Sequence, residues 1–424
     1  MARQDSLWNK IDWLLVATFF TLVILGWLNI YAVVYDEEQA QNIFSLSLNS
    51  GRQLIFIAGS VLIIIIIMIL DFKFFDSFAY IMYGVTIIAL IGVLLFGTEI
   101  AGNKSWFTIG SFRLQPSEFT KFTTALAVAK YFSTNTVRLD RLNDQIKASV
   151  WVLLPIALII LQGDVGTAMV FASFVFVYYR EGLPAFYLIT GVSAAAIFIL
   201  TLMFGQTYLL AGLAGITLLS IIVTLILKKF KSIFLIVLGA LIIGGTIFSV
   251  DYTVSNVLKP HQQNRLKALI NPDADPLGYG WNVTQSKIAI GSGGTFGKGF
   301  LEGTQTKFDF VPEQSTDFIF CTIGEEHGWM GSFLLVFLFL LLMIRIIQVA
   351  ERQKDGFARI YGYAVAGIFF IHFGINIGMT IGLFPVAGIP LPFFSYGGSS
   401  LWSFTILLFV LIKLDAHRMQ VLTR

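Results

Sequence analysis

Long apolar blocks separated by short polar turns run the length of this chain, and most are too uniformly apolar to be one face of a soluble helix. A hydrocarbon layer of about 30 Å is crossed by roughly 20 apolar residues in a helix. Blocks near that length predict helices at 12–34, 52–70, 76–96, 117–134, 149–162, 165–180, 184–204, 207–227, 232–251, 317–346, 358–384 and 399–415. The expected fold is therefore all-α: a polytopic transmembrane helical bundle of about 12 helices, with residues 1–424 forming a single integral membrane domain. No A-x-A pattern follows the first apolar run, so that run is expected to remain as a membrane helix.

Polar interruptions refine this pattern. Gln162-Gly163-Asp164 divides an apolar stretch into two short helices meeting at a turn, and Gly324-Glu325-Glu326-His327-Gly328 places charges inside the expected 317–346 helix. Charges at such depth are costly in lipid. The longest polar gap, residues 252–315, is a large loop.

Charge decides orientation. With the N-terminus in the cytoplasm, inner turns carry Lys73, Arg138, Arg141, Lys147, Arg180, Lys228, Lys229, Lys231, Arg345, Arg352, Lys354 and Arg359, and the tail adds Arg418 and Arg424. The short outer loops hold Asp36, Glu37, Glu38 and Asp164, as the positive-inside rule requires. Helix parity then makes 252–315 extracytoplasmic, with both termini cytoplasmic. This loop carries Lys259, Arg265, Lys267, Lys287, Lys298 and Lys307, which long loops are free to do.

Composition agrees with a lipid solvent: 56% of residues are hydrophobic and 12% charged, and the formal net charge of +3 is too small to indicate nucleic acid. The single cysteine, Cys321, excludes an internal disulfide.

The loop concentrates polar motifs: Asn271-Pro272-Asp273-Ala274-Asp275-Pro276, Gln285-Ser286-Lys287, Gly291-Ser292-Gly293-Gly294 and Gly297-Lys298-Gly299. Turn-making accounts for Asp-Pro steps and glycines as readily as chemistry does. A P-loop is excluded, because Ser292 and Gly299 stand where glycine and Ser or Thr are needed. The four histidines are scattered over different segments, so no zinc site is visible, and no Ser-x-x-Lys nucleophile motif occurs. At the start of the 117–134 helix, Gln115-Pro116-Ser117-Glu118 precedes Lys121. Glu118 and Lys121 share a helical face, where mutual neutralisation and function are both open readings. The Leu391 to Ser399 run before the last helix reads as a re-entrant turn with a structural role.

Together these segments resemble the SEDS family of membrane glycosyltransferases (shape, elongation, division and sporulation), most closely its rod-shape branch. The resemblance rests on Trp106 to Lys121, Gln162 to Thr167, Asp275 to Gly280 and Gln285 to Gly294. It continues through Gly297-Lys298-Gly299, Gly303-Thr304-Gln305, Phe310 to Glu313, Thr316 to Phe320, Gly324-Glu325-Glu326, Asn376 to Met379 and Pro390 to Ser399. The family is described with ten membrane helices, so the resemblance implies a two-helix insertion within residues 184–251.

The resemblance implies that lipid II, an undecaprenyl-pyrophosphate-linked disaccharide pentapeptide, is polymerised into glycan strands on the outer face of the cytoplasmic membrane, supporting elongation and shape. Asp275 matches the family's essential loop aspartate and is expected to act as general base. Lys121, Arg265, Lys287 and Lys298 are expected to meet the pyrophosphate, with Glu118, Gln285, Ser286, Asp164 and Glu325 as further substrate-binding candidates. A divalent cation, Mg²⁺ or Mn²⁺, held by Asp275 with Glu118 or Glu325 is the alternative charge carrier. The missing Ser-x-x-Lys nucleophile implies a class B penicillin-binding protein as crosslinking partner. A lipid II flippase and a noncatalytic scaffold are the competing functions.

Overall fold

The computed structural model describes residues 10–35, 42–100, 102–110, 112–134, 137–257, 263, 279–308 and 310–420. Asp275 and Arg265, both named above, lie outside the described residues. The helices in chain order are α1 (Trp13–Val34), α2 (Asn49–Ile69), α3 (Phe72–Ser77), α4 (Ala79–Phe96), α5 (Pro116–Thr134), α6 (Leu142–Leu161), α7 (Val165–Val170) and α8 (Phe174–Arg180). They continue as α9 (Ala185–Phe204), α10 (Gln206–Ile226), α11 (Phe230–Tyr252), α12 (Tyr279–Ser292), α13 (Thr304–Lys307), α14 (Ile319–Glu326), α15 (Gly328–Glu351), α16 (Gly356–Thr380) and α17 (Gly398–Ala416).

Among the described residues ten helices are long and apolar enough to cross a membrane: α1, α2, α4, α6, α9, α10, α11, α15, α16 and α17. The other two expected segments are helical for different reasons. Residues 165–180 form α7 and α8, joined by a 3₁₀ turn at Phe171–Ser173. Helix α5 is more polar than these ten, yet it packs against α4, α6, α16 and α17. Its Ser117, Glu118, Thr120, Lys121 and Thr124 are all buried, so its polar groups meet protein rather than lipid. Helices α17 and α16 are likewise largely buried, so these two stand with α5 at the centre of the unit that holds them.

Capping sets several helix starts. Asp12 accepts the Leu15 N–H at 3.3 Å ahead of α1, and Asp355 accepts the Ala358 N–H at 3.3 Å ahead of α16.

One expectation is corrected and two details are added to the expected helical bundle. A small antiparallel sheet accompanies the helices: β1 (Thr98–Ile100), β2 (Asn103–Ile109) and β3 (Phe112–Leu114) lie in the order β1-β2-β3, with Thr108 opposite Arg113. The run Ser105-Trp106-Phe107-Thr108-Ile109 is rich in aromatic and β-branched residues, which suit a strand and are too few for a span. The expected 317–346 helix is two helices, α14 and α15, broken at His327 and Gly328. Gly328 sits at φ +63°, a left-handed conformation that ends a helix and that glycine adopts without a Cβ penalty. Within the 252–315 loop lie α12 and α13.

The chain divides into two compact units, one of residues 1–183 with 285–424, the other of residues 184–284. The second contains α9, α10 and α11, which pack on one another. They are the three helices of the region where the resemblance places an insertion.

Candidate active site

The described polar clusters of interest belong to the larger unit, and the first of them gathers where α5 begins. Pro116 opens α5, a position that needs no N–H donor and suits its fixed φ. The Gln115 N–H donates to Ser399 Oγ at 3.3 Å, and Ser399 donates to the Arg113 carbonyl at 3.1 Å, so the run into α17 holds the entry of α5. Glu118 occupies the first turn, where the helix dipole favours a carboxylate. One turn on, Lys121 Nζ reaches Glu118 Oε2 at 2.9 Å and His372 Nε2 of α16 at 2.8 Å. The Lys121 ammonium also lies 4.8 Å from the centre of the Phe404 ring. Ser403 Oγ completes the cluster by donating to the Glu118 carbonyl at 2.6 Å.

Asp164 joins this group from the turn between α6 and α7. It caps α7, accepting the Thr167 N–H at 3.0 Å and the Thr167 hydroxyl at 2.7 Å, and it accepts Gln115 Nε2 at 2.8 Å. Glu118, Lys121 and Asp164 are thus brought together, and all three are enclosed by protein. Their charges serve α5, α7 and α16 in this structure.

A second cluster forms around Glu325, at the end of α14. Its carboxylate accepts Lys298 Nζ at 2.6 Å, the Thr304 hydroxyl at 3.2 Å, and the N–H groups of Gln305 and Thr306 at 2.8 and 3.0 Å. One buried side chain thereby folds residues 298–306 around itself. Burial opposes its charge, but Lys298 and the two amides prevail and hold the carboxyl below the usual carboxylate range. The neighbouring Glu326 moves the other way. Burial, with Glu325 beside it, pushes it up to about 7, although it accepts the Leu301 N–H at 3.2 Å.

On α12, Gln285 is buried and Ser286 Oγ donates to the Thr380 carbonyl at 2.9 Å. Lys287 points to the surface and has no ion pair among the described residues. The two clusters do not merge. Glu118 is matched by Lys121 and Glu325 by Lys298. Among the described residues no group of three His, Cys, Asp or Glu side chains converges as a metal site.

The sequence reading missed the face of α16 that lies between the clusters. His372 meets Lys121, Asn376 Nδ2 donates to the carbonyls of Ile389 at 2.8 Å and Asp317 at 2.9 Å, and the Thr380 carbonyl takes Ser286. These three residues are spaced four apart, hence on one helical face. Polar residues recurring at that interval in an apolar helix are the signal that could have found it.

The expected re-entrant run before α17 is buried from Leu391 to Ser395 and is fastened by Ser395. Its hydroxyl donates to the Thr316 carbonyl at 2.6 Å and accepts the Leu391 N–H at 2.8 Å.

A model of the FtsW, RodA and SpoVE family, described as cell cycle proteins, matches residues 12–213 and 209–420. Over 436 aligned residues the chain is 34% identical to the peptidoglycan glycosyltransferase RodA of Treponema pallidum, with 97% of this chain and 99% of that one covered. Identity to the peptidoglycan glycosyltransferase MrdB of Escherichia coli is 30% over 417 residues, covering 98% and 97% of the two chains. Among solved structures, a chain from a peptidoglycan synthase complex that coordinates polymerization and crosslinking matches with a TM-score of 0.71 at 25% identity, covering 97% of this chain and 99% of that one. The RodA of Thermus thermophilus shares the fold, with a TM-score of 0.63 at 23% identity over 97% of this chain and 98% of that one. With both the family model and relatives of at least 30% identity spanning nearly its whole length, this chain belongs to the FtsW, RodA and SpoVE family of membrane proteins.

Proposed function

We propose that this protein is a peptidoglycan glycosyltransferase that polymerises lipid II into glycan strands at the outer face of the cytoplasmic membrane and supports cell elongation. The observation that carries the reading is similarity over nearly the full length to two peptidoglycan glycosyltransferases. The helical content, the polar loop and the basic residues within it fit a lipid-linked substrate whose tail stays in the bilayer while its sugars reach the loop.

The reaction joins the acceptor sugar's 4-hydroxyl oxygen to the donor's anomeric carbon. The bond from that carbon to the lipid pyrophosphate breaks, and the hydroxyl proton passes to a base. Asp275 is the proposed base, a role that contributes about 10² to 10⁴-fold. Negative charge gathers on the departing pyrophosphate and is stabilised by fixed cations. Lys287, exposed on α12, and Lys298, with 26% of its side chain exposed, are better placed for this than the enclosed Lys121. Arg265 belongs to the same proposed set. Should a divalent cation take part, Asp275 with Glu118 or Glu325 is the proposed carboxylate set. A class B penicillin-binding protein is the proposed crosslinking partner, in keeping with the polymerization and crosslinking complex among the structural neighbours.

The test uses purified protein with lipid II in detergent and resolves products by length. Wild type is expected to form polymer and Asp275→Ala none. Polymer from the Asp275→Ala variant would overturn the base assignment. Movement of lipid II across liposomes without polymer would overturn the enzymatic reading in favour of a flippase.

A further inference from the structure

We infer that His372 is a positioning residue for the glycosyl transfer, holding the Lys121 ammonium and fixing α5 to the face of α16 that also seats α12. The inference rests on the polymerase reading. Its starting point is the hydrogen-bond capacity of an ammonium, which has donors and no acceptor. Facing Lys121 at 2.8 Å, His372 Nε2 must therefore accept. The ring's proton then resides on Nδ1, which lies 3.3 Å from the Pro390 carbonyl and donates to it. A neutral imidazole of fixed tautomer thus runs between the re-entrant segment and α5, and its ring stands edge-on to Phe404 at 4.8 Å.

The consequence extends along α16. One turn beyond His372, Asn376 ties the carbonyls of Ile389 and Asp317, and another turn on, the Thr380 carbonyl takes the Ser286 hydroxyl. At 1.5 Å per residue the three positions span about 12 Å. This face therefore connects the Glu118 and Lys121 pair to α12, the helix the chain enters at Tyr279, shortly after Asp275. With Lys121 enclosed, the pair acts on the reaction through this frame rather than by touching substrate.

The experiment compares wild type, His372→Gln and His372→Phe in lipid II polymerisation across substrate concentration and pH, with thermal melting of each protein. Glutamine keeps an acceptor near the Nε2 position, whereas phenylalanine keeps ring volume and removes the acceptor. His372→Phe is expected to lower kcat by about 10- to 100-fold, as displaced catalytic geometry does, with KM within about two-fold. His372→Gln is expected to recover most of kcat with an unchanged pH profile. Should His372→Phe fail to fold, the glutamine variant carries the test: kcat as low as one-tenth of wild type in a protein that melts normally would overturn the inference. A shifted pH profile in His372→Gln would also overturn it by making the imidazole a proton carrier, as would a raised KM at unchanged kcat. Wild type that forms no polymer defeats the functional reading itself. Wild type that polymerises beside an equally active His372→Phe defeats this inference alone.

Discussion

Glu118 and Lys121, one turn apart on α5, pair at 2.9 Å with the lysine side chain fully buried and the carboxylate side chain 3% exposed. Such a pair adds little net stability compared with apolar residues of the same volume, but removing one partner strands a buried charge. Lys121→Met is therefore expected to cost about 3–5 kcal/mol. The double variant Glu118→Gln with Lys121→Met should recover most of that loss. Thermal melting in detergent checks this; a double variant as unstable as the single one contradicts a paired role.

The adjacent carboxylates Glu325 and Glu326 should give opposite pH dependences. The folded state lowers the pKa of Glu325, so its contribution is present above the unfolded value of 4.5 and disappears as pH falls through the lower folded value. Glu326 is raised to about 7, so its contribution is complete below 4.5 and is lost as pH rises through about 7. Glu326→Gln is expected to melt a few degrees above wild type at pH 8 and to match it near pH 4.5. Glu325→Gln should melt lower at pH 8, the difference closing in acid. Melting curves from about pH 3 to pH 8 decide both.

At the opposite end of the bundle, Arg352 joins α17 to the start of α1. Its Nε donates to Asp415 Oδ1 at 2.7 Å and its Nη2 to Asp12 Oδ2 at 2.9 Å, while Arg345 Nε bonds both Asp12 oxygens at 3.1 Å. Asp415 is fully buried. Arg352→Ala is expected to destabilise by about 3–5 kcal/mol. Arg352→Lys should recover only part of this, because a lysine point charge cannot serve two carboxylates as the guanidinium fork does. The order wild type, Lys, Ala in melting temperature is the prediction.

Gly166, in the first turn of α7, has no room for a side chain. A Cβ there would lie 2.0 Å from the Ala387 carbonyl oxygen, deep inside contact distance. Gly166→Ala is therefore expected to push α7 from the Ala387 backbone, lowering the melting temperature and cutting polymerisation at least ~10-fold, as a displacement of about 1 Å does. Alanine at exposed Gly191, where a Cβ meets nothing within 4 Å, is the control expected to leave both unchanged.

Most of the helices were legible along the chain, because hydropathy, helical period and turn residues act over a few neighbouring positions, whereas the break at His327 and Gly328 and the small sheet were not. The chain also singled out Glu118, Lys121, Asp164 and Glu325 as charges set against apolar helices, and Lys298 as a cation of the polar loop. The pairing of Glu118 with Lys121 was legible for the same local reason, three residues on one helix. Tertiary structure alone decided that α5 lies at the centre, that Glu325 folds residues 298–306 instead of joining Glu118, and that His372 reaches Lys121 across 251 residues of chain. A buried charge takes its partner from whichever element packing brings within hydrogen-bond reach, and no local pattern of residues records that meeting.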